Sequence, residues 1–464
     1  MFTLSEAATN ARPIDNKLIT GPIASTLFFF AMPVLLGNVL QSLNGSVNSI
    51  WVGKFLGENA LAATSNANII MFFLLSTIFG IGMAATILIG QSIGAKDVDK
   101  AKRVVGTSAV FFVILSIFIT ALGAVFTPHI LVWMNTPTEV MPFALDYMRI
   151  MFLGIPFMFG LNYVMTVLRG SGNSKTPFYF LLLAVFLDIG LNPLFIFGMG
   201  PFPEMGIAGS ALSTVIAQVV SLVLLIIYLY RKQYFLRIKR DELYLLRLDR
   251  EILSALIKKG LPMGLQMIVV SSSGIALINL VNTFGADSAA ANGAAMQLSS
   301  YIQMPAMALG AAVSSITAQN IGANKWDRVH RTTLIGVIYN FLMAGVVAGI
   351  IYVFNREALS LFLPSNGPAI EIGIQINNRT LAAFVLFGVY MVVAGVIRST
   401  GSVMVPLLIT FTALWVIRIP LAYYLADQYG FNALWWSFPA SFGMAVVVTC
   451  LYYSFGGWKK AKMI

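Results

Sequence analysis

The chain repeats itself at an interval close to half its length. The string QSIGAKDVDKAKR at 91–103 returns as QNIGANKWDRVHR at 319–331. A second pair, RGSGNSKTP at 169–177 and RSTGSVMVP at 398–406, recurs at almost the same offset. Such a period is too long for a solenoid. In an apolar chain it predicts two bundles that face each other, the architecture typical of an alternating-access transporter.

Composition indicates that these bundles lie in a bilayer. Hydrophobic residues make up 58% of the 464 residues and charged residues only 10%, with a mean hydropathy of +0.84. A soluble chain carries roughly 25% charged residues. At about 20 apolar residues per crossing, we predict an all-α polytopic membrane protein with 12 transmembrane helices. The apolar runs fall near 24–50, 62–90, 104–126, 140–167, 178–199, 206–229, 252–283, 289–317, 332–354, 372–396, 406–426 and 431–455.

These runs divide the chain into two six-helix lobes. Pro33 and Pro262, early in the first and seventh runs, are separated by the same offset as the repeated strings. The predicted domains are a cytoplasmic N-terminal segment (1–23), an N-lobe (24–230), a cytoplasmic linker (231–251), a C-lobe (252–455) and a cytoplasmic tail (456–464).

Basic residues predict the orientation. If the amino terminus is inside, 24 of the 29 Lys and Arg residues fall in inner segments, as the positive-inside rule requires. Both termini are therefore predicted to be cytoplasmic, and the first apolar run is too long for a cleaved signal peptide. The net charge of +11 reflects this bias and does not indicate nucleic-acid binding. The basic run at 231–259 is interpreted as an inter-lobe linker, or alternatively as a segment along anionic headgroups.

Few sequence features point to a cofactor. The single Cys450 excludes an internal disulfide framework. The sequence contains no zinc spacing, lipidation signal or phosphate-binding glycine loop. His129 and His330 lie near predicted membrane borders and are interpreted as surface residues. We expect no cofactor beyond a coupling ion.

Asp188 is the main candidate for chemistry. It lies deep in the fifth apolar run, in FLDIGLNPLF, where a carboxylate costs several kcal/mol unless it is protonated, paired or hydrated. Asn192 follows four residues later on the same helical face. Pro193 removes a backbone donor and leaves a carbonyl free. This group suits a proton or, with Asp188 and Asn192 as ligands, a sodium ion; a permanently neutral packing residue is the alternative.

A stripe of amides on the first helix matches this site. Asn38, Gln41, Asn44 and Asn48 recur at spacings of three, three and four, so they share one face. They predict a wet cavity wall, or alternatively interhelical hydrogen bonds. Tyr147 and Thr214 are further candidates for the cavity.

Arg418 is the only basic residue near the middle of an apolar run. It lies in roughly the place in the second half that Asp188 occupies in the first. An ion pair between the two is one hypothesis, and structural anchoring of the second bundle is the other.

The order of motifs resembles the multidrug and toxic compound extrusion (MATE) family over 24–455. The motifs are WVGKFLGENALAA, QSIGAKD, LRGSGNSKTP and LNPLFIFGMGPFPEMGIAGSALST, with Pro33 and Gln41 before them. The resemblance implies two lobes related by a pseudo-two-fold axis. It also implies export of cationic or amphipathic organic compounds in exchange for protons or sodium.

Single positions depart from the family pattern. The DinF-type subgroup has Gln and Asp on the first helix, where this chain has Gln41 and Asn48. On the fifth helix its Asn and Asp are exchanged here, giving Asp188 and Asn192. Tyr147 and Thr214 match its cavity positions. The acidic positions of the NorM-type subgroup are Val269 and Phe387, so its second-lobe cation site is not expected.

The resulting hypothesis is a monomeric multidrug (xenobiotic) efflux antiporter of the cell inner membrane. Asp188, Asn192, Asn48 and Gln41 would couple the ion, while Tyr147, Thr214, Asn44 and Asn38 would line the cavity for small organic cations. One alternative is a lipid-linked precursor flippase, which would need a strongly basic cavity. A membrane-embedded enzyme is a weaker alternative, because a lone carboxyl is not a catalytic set.

Overall fold

The structure, a computed structural model, describes residues 17–364 and 367–464. Most of the predicted N-terminal segment (1–23) therefore lies outside the described residues. Its last part forms a short helix, Lys17–Thr20. Helices, turns and loops account for the whole of the described chain, in which no strand occurs.

Twelve long helices make up the bundle. They are α1 Ile23–Leu56, α2 Glu58–Gly94, α3 Val98–Trp133, α4 Met141–Gly170, α5 Lys175–Ile196, α6 Ile207–Arg231, α7 Arg250–Asn282, α8 Ala286–Gly322, α9 Trp326–Val353, α10 Pro368–Ser399, α11 Met404–Tyr429 and α12 Phe431–Phe455. Shorter helical turns occupy Arg240–Leu245, Asn355–Ser360 and Gly457–Lys460. Each predicted apolar run falls in one long helix, which confirms the all-α fold.

Eleven of these helices are long and apolar enough to cross a membrane. The remaining one, α8, is 37 residues long but rich in Ala, Ser and Gln. Small residues allow close helix packing in a membrane, and α8 is buried along most of its second half. It is therefore a central helix of the bundle whose composition reflects protein contact rather than lipid contact.

The two halves repeat in backbone geometry as well as in sequence. Lys96 and Asn324, which occupy equivalent places in the first repeated string, follow corresponding helices with φ of 61° and 56°. Gly172 and Gly401, which are equivalent in the second string, have φ of 95° and 102°. This left-handed region favours Gly, so the repeated glycine of the 169–177 and 398–406 strings has a local structural reason.

The first helix of each half begins against the other half. At the start of α1, Leu27 and Phe30 pack in one cluster with Leu309 and Val392 of the second half. Farther along, Gly37 lies against Leu181 of the first half. The start of α7 mirrors this arrangement, because buried residues of the first half surround its residues 252–263. Thus α1 and α7 change lobes near the paired prolines at 33 and 262.

The repeated strings of the two halves meet face to face. The Gln91 side chain donates to the Ser399 carbonyl oxygen at 2.7 Å, and the Gln319 side chain donates to the Gly170 carbonyl oxygen at 3.0 Å. Each glutamine reaches from its own half to the end of a helix in the other half. We call Gln91, Gly94, Gly170, Gln319, Gly322 and Ser399 the seam. The seam closes the bundle at the end that also carries Leu18 and Lys462.

The linker packs against the start of α3. Lys102 forms an ion pair with Glu242, and Arg103 forms one with Asp249. Burial raises the pKa of Glu242, but the Lys102 hydrogen bond and nearby positive charge outweigh it and lower the pKa below its usual value. The hydrogen bond from Arg103 lowers the pKa of Asp249. The linker is thus held to the first half by charged contacts.

Candidate functional site

The Asp188 carboxylate is the centre of a buried polar cluster. Its residue is only 2% exposed. Oδ2 accepts hydrogen bonds from Asn44 Nδ2 at 2.8 Å and Asn48 Nδ2 at 2.9 Å. Oδ1 accepts from Asn192 Nδ2 at 3.1 Å and Thr214 Oγ1 at 3.0 Å. Four donors match the accepting capacity of an ionised carboxylate.

Three helices of the first half supply this cluster. Asn44 and Asn48 are four residues apart on α1 and therefore lie on one face. Asp188 and Asn192 have the same spacing on α5. Thr214 comes from α6. The side-chain periodicity of each helix thus aims its polar group at one point.

Two amide oxygens in the cluster have no partner. Asn44 Oδ1 and Asn192 Oδ1 are buried and accept no hydrogen bond from the described residues, whereas Asn48 Oδ1 accepts from Asn192 Nδ2 at 3.0 Å. An unsatisfied buried acceptor costs roughly 1–3 kcal/mol. Such acceptors beside a carboxylate are suited to a carboxyl proton or to a cation that prefers oxygen ligands. Across the described residues, no group of three His, Cys, Asp or Glu side chains forms a metal site.

The other candidate site residues differ in whether they contact the Asp188 carboxylate. Asn44 and Thr214, predicted as cavity residues, contact the carboxylate directly. Tyr147 is buried, and among the described residues it forms no hydrogen bond with Asp188. Gln41 is exposed and Asn38 is half-buried. Neither of the last two side chains forms a hydrogen bond within the described parts of the chain.

Arg418 lies in the second half and does not pair with Asp188. Its Nε donates to Ser441 Oγ at 3.0 Å, and its guanidinium carbon lies 4.2 Å and 4.1 Å from the ring centres of Phe438 and Phe442. Residues 17–364 and 367–464 offer it no carboxylate partner. Of the two hypotheses for Arg418, the structure therefore disfavours the ion pair.

Sequence reasoning missed a second polar network. Gln266 donates to the hydroxyl groups of Tyr390 and Thr410, both at 2.8 Å, and accepts from Arg398 Nη1 at 3.1 Å. All four residues are buried. Arg398 opens the second repeated string, but no local spacing links it to Gln266, which is 132 residues away.

Comparison with known proteins gives the family. A family model described as MatE matches the chain twice, at 33–194 and at 262–424. The two matched segments begin at the paired prolines, so their spacing is the interval of the sequence repeat. The chain belongs to the MatE family. It is therefore a multi-pass membrane transporter of that family and not an enzyme, which confirms the resemblance drawn from the motifs.

Relatives of this MatE transporter match it over nearly its whole length. Two are from Bacillus subtilis (strain 168). The probable multidrug resistance protein YoeA is 38% identical over 458 residues, 98% of each chain. The probable multidrug resistance protein YpnP is 34% identical over 444 residues, 96% of this chain and 97% of its own.

A solved structure confirms the architecture of this MatE transporter. It is an outward-facing conformation of a multidrug resistance MATE family transporter of the MOP superfamily. The TM-score is 0.85 at 22% identity, and the match covers 96% of this chain and 98% of that one. At this identity the likeness concerns the fold, which agrees with the predicted twelve-helix, two-lobe arrangement.

Proposed function

We propose that this protein exports cationic or amphipathic organic compounds by alternating access, driven by a coupling ion that binds at Asp188. The observation that carries the proposal is a buried carboxylate that accepts from four uncharged donors and pairs with no Lys, Arg or His side chain among the described residues. Charge-assisted hydrogen bonds contribute about 1.5–3 kcal/mol each, which offsets the cost of burying the carboxylate. The charge is nevertheless uncompensated, so binding of one cation neutralises the site.

A proton is the first choice of coupling ion. A protonated Asp188 has one donor and needs an acceptor in place of a donor. The unpartnered Oδ1 atoms of Asn44 and Asn192 can take that role after rotation of an amide. Protonation would therefore rearrange contacts between α1 and α5. Because the start of α1 packs in the other half, such a rearrangement can be transmitted across the bundle.

Sodium is the second candidate, and the same orphan oxygens favour it. One carboxylate with two amide oxygens forms an all-oxygen set, which hard cations prefer. In this case the two amides would turn their oxygens toward the ion, and Asp188 would remain ionised throughout the cycle.

The seam supports a state that is closed at one end. We propose that this end faces the cytoplasm of a bacterial cell, with both termini there, because most Lys and Arg residues lie on that side. The closed seam then corresponds to an outward-facing state that releases substrate and takes up the ion. The relatives named as multidrug resistance proteins support small organic substrates, and a single chain supplies the whole site, which favours a monomer.

Transport into proteoliposomes under imposed gradients tests this proposal. Ethidium movement should respond to a pH gradient, to a Na⁺ gradient, or to both, and the responding gradient identifies the ion. Asp188→Asn should reduce gradient-driven transport at least tenfold, because it removes the ionisable group. Asp287→Asn, an equivalent change at the exposed start of α8, should have no effect. Wild-type rates for Asp188→Asn under both gradients would refute the assignment.

A further inference from the structure

A separate cavity of about 220 Å³ lies inside the second half. It is formed by α7, α8, α10, α11 and α12, and none of the residues around Asp188 lines it. Most of its wall is apolar, including Leu277, Phe384 and Phe387. Apolar cavities with a few polar groups are the usual form of a small-molecule site.

Arg418 supplies an unsatisfied positive charge to this cavity. The residue is 7% exposed, and its Nη2 atom has no hydrogen-bond partner in the part of the chain that the structure describes. The rings of Phe438 and Phe442 stabilise the cation through their faces, but a ring face does not replace a hydrogen-bond acceptor in the guanidinium plane. A buried cation without an anionic partner is strongly unfavourable. The geometry therefore leaves one partner missing, an anion on the cavity side.

Other polar side chains of the cavity wall also favour a polar ligand. Asn292 lines it, is 5% exposed, and has an Oδ1 atom without a donor. Tyr390 and Thr410 also line it, and through Gln266 they connect to the buried Arg398. The cavity thus offers positive charge together with an acceptor that needs an N–H or O–H group.

The backbone at Arg418 is also unusual. Residues Thr412–Arg418 form a π-helical segment within α11, just before Pro420, which has no N–H to donate to the helix. Segments of π-helix are rare and occur frequently at functional sites. Here the segment ends at the residue that carries the unpaired charge.

We propose that the cavity is a binding site for a small aromatic carboxylate that also bears a hydrogen-bond donor. A carboxylate matches the guanidinium in a two-point contact. The aromatic ring suits the Phe-rich wall, and the donor suits Asn292. The cavity volume lies below the roughly 300–1,000 Å³ of drug-sized pockets, so the ligand class is a single-ring monoanion. This site shares no residue with the ion site that we assign to Asp188.

Binding of 4-aminobenzoate to the purified full-length protein tests the proposal. Isothermal titration should show saturable binding of 4-aminobenzoate, and the neutral 4-aminobenzamide should bind at least tenfold more weakly. Arg418→Gln should weaken 4-aminobenzoate binding at least tenfold. Arg356→Gln, the same change in an exposed ion pair with Glu371, should leave it unchanged. Asp188→Asn should also retain binding, which separates this result from the coupling proposal.

Two results would overturn the proposal. One is equal binding of the acid and the amide by the unmodified protein, a comparison that does not depend on any variant folding. The other is unchanged 4-aminobenzoate affinity in Arg418→Gln. If Arg418→Gln does not fold, Asn292→Ala provides the second variant. It should weaken binding of 4-aminobenzoate more than binding of benzoate, and equal losses for the two acids would count against the site.

Discussion

Substitution of Gly322 by Ala should open the seam. A Cβ atom at position 322 would lie 2.0 Å from the Gln91 carbonyl oxygen, and one at position 94 would lie 1.9 Å from the Gln319 carbonyl oxygen. Ordinary contact begins near 3.4 Å. The two backbones would therefore have to separate until the 2.0 Å contact approaches 3.4 Å. Both contacts are with backbone atoms, so no side-chain rotation relieves them.

The cost can be worked from the contacts that would be lost. Overpacking costs about 1–3 kcal/mol. A separation of this size would also break the Gln91–Ser399 and Gln319–Gly170 hydrogen bonds, worth roughly 0.5–1.5 kcal/mol each. The closed state should lose about 2–6 kcal/mol in total. A loss of about 1.4 kcal/mol already changes an equilibrium tenfold. The total therefore matches or exceeds the few kcal/mol that typically separate two conformations, and the seam-open state should become the main one.

Thiol accessibility measures this shift directly. Cys450, the one native cysteine, is first replaced by Ser. Ser92, which is 4% exposed beside the seam, is then replaced by Cys. In the otherwise unmodified protein this thiol should react slowly with a polar maleimide. In Gly322→Ala it should react at least tenfold faster, and transport should fall because the cycle needs both states.

A matched control separates seam opening from a general effect of Ala in a helix. Gly349 lies within α9 with no atom within 4 Å of a built Cβ. Gly349→Ala should therefore leave both the labelling rate and transport unchanged. Slow labelling at Ser92→Cys in Gly322→Ala, together with wild-type transport, would refute the seam as the gate.

Further predictions concern the glutamines of the seam and the linker. Gln91→Ala and Gln319→Ala should each raise the same labelling rate by roughly 2–13-fold, from about 0.5–1.5 kcal/mol per hydrogen bond, and near-additivity in the double variant would show independent contacts. The pKa values of Glu242 and Asp249 are lowered in the folded protein. The two carboxylates therefore contribute fully to the free energy of unfolding above their unfolded pKa values near 4. This contribution is lost as pH falls through the depressed folded pKa values. In thermal unfolding, the Tm of Glu242→Gln should accordingly fall less on acidification than the Tm of the unmodified protein. The same dependence of Tm on pH in both proteins would contradict this.

The sequence predicted the fold well because the bilayer restricts it. Spans of about 20 apolar residues can only be helices in lipid, so their number and order follow from hydropathy. The repeat then indicated two lobes. The same reasoning could not predict that α1 and α7 begin in the opposite lobe, because uniformly apolar helices carry no periodicity that shows their neighbours. The paired prolines at 33 and 262 were the only local sign of this crossing.

The Asp188 cluster was partly predictable for a similar reason. A carboxylate at bilayer depth needs partners, and the four-residue spacing of the amides on α1 identified a polar face. Asn44 and Asn48 lie far from Asp188 in the sequence, at separations of 144 and 140 residues, so their pairing required the packing of α1 against α5. The partners of Arg418 were even harder to predict from the sequence, because two phenylalanines and one serine in an apolar helix give no polar pattern.

The repeat and its departures serve different parts of the transport cycle. At the seam, equivalent residues contact each other reciprocally, so opening on one side requires both halves to separate together. At bilayer depth the symmetry is broken: Asp188 lies in the first half and Arg418 lies at nearly the equivalent place in the second half. Neither side chain pairs with an oppositely charged side chain among the described residues. At the two sites that we propose, a cation and an anion would bind in different lobes without competing for one site. Because both lobes share the seam, ligand binding in either lobe can change the same closing equilibrium, provided that the ligand has different affinities for the two states.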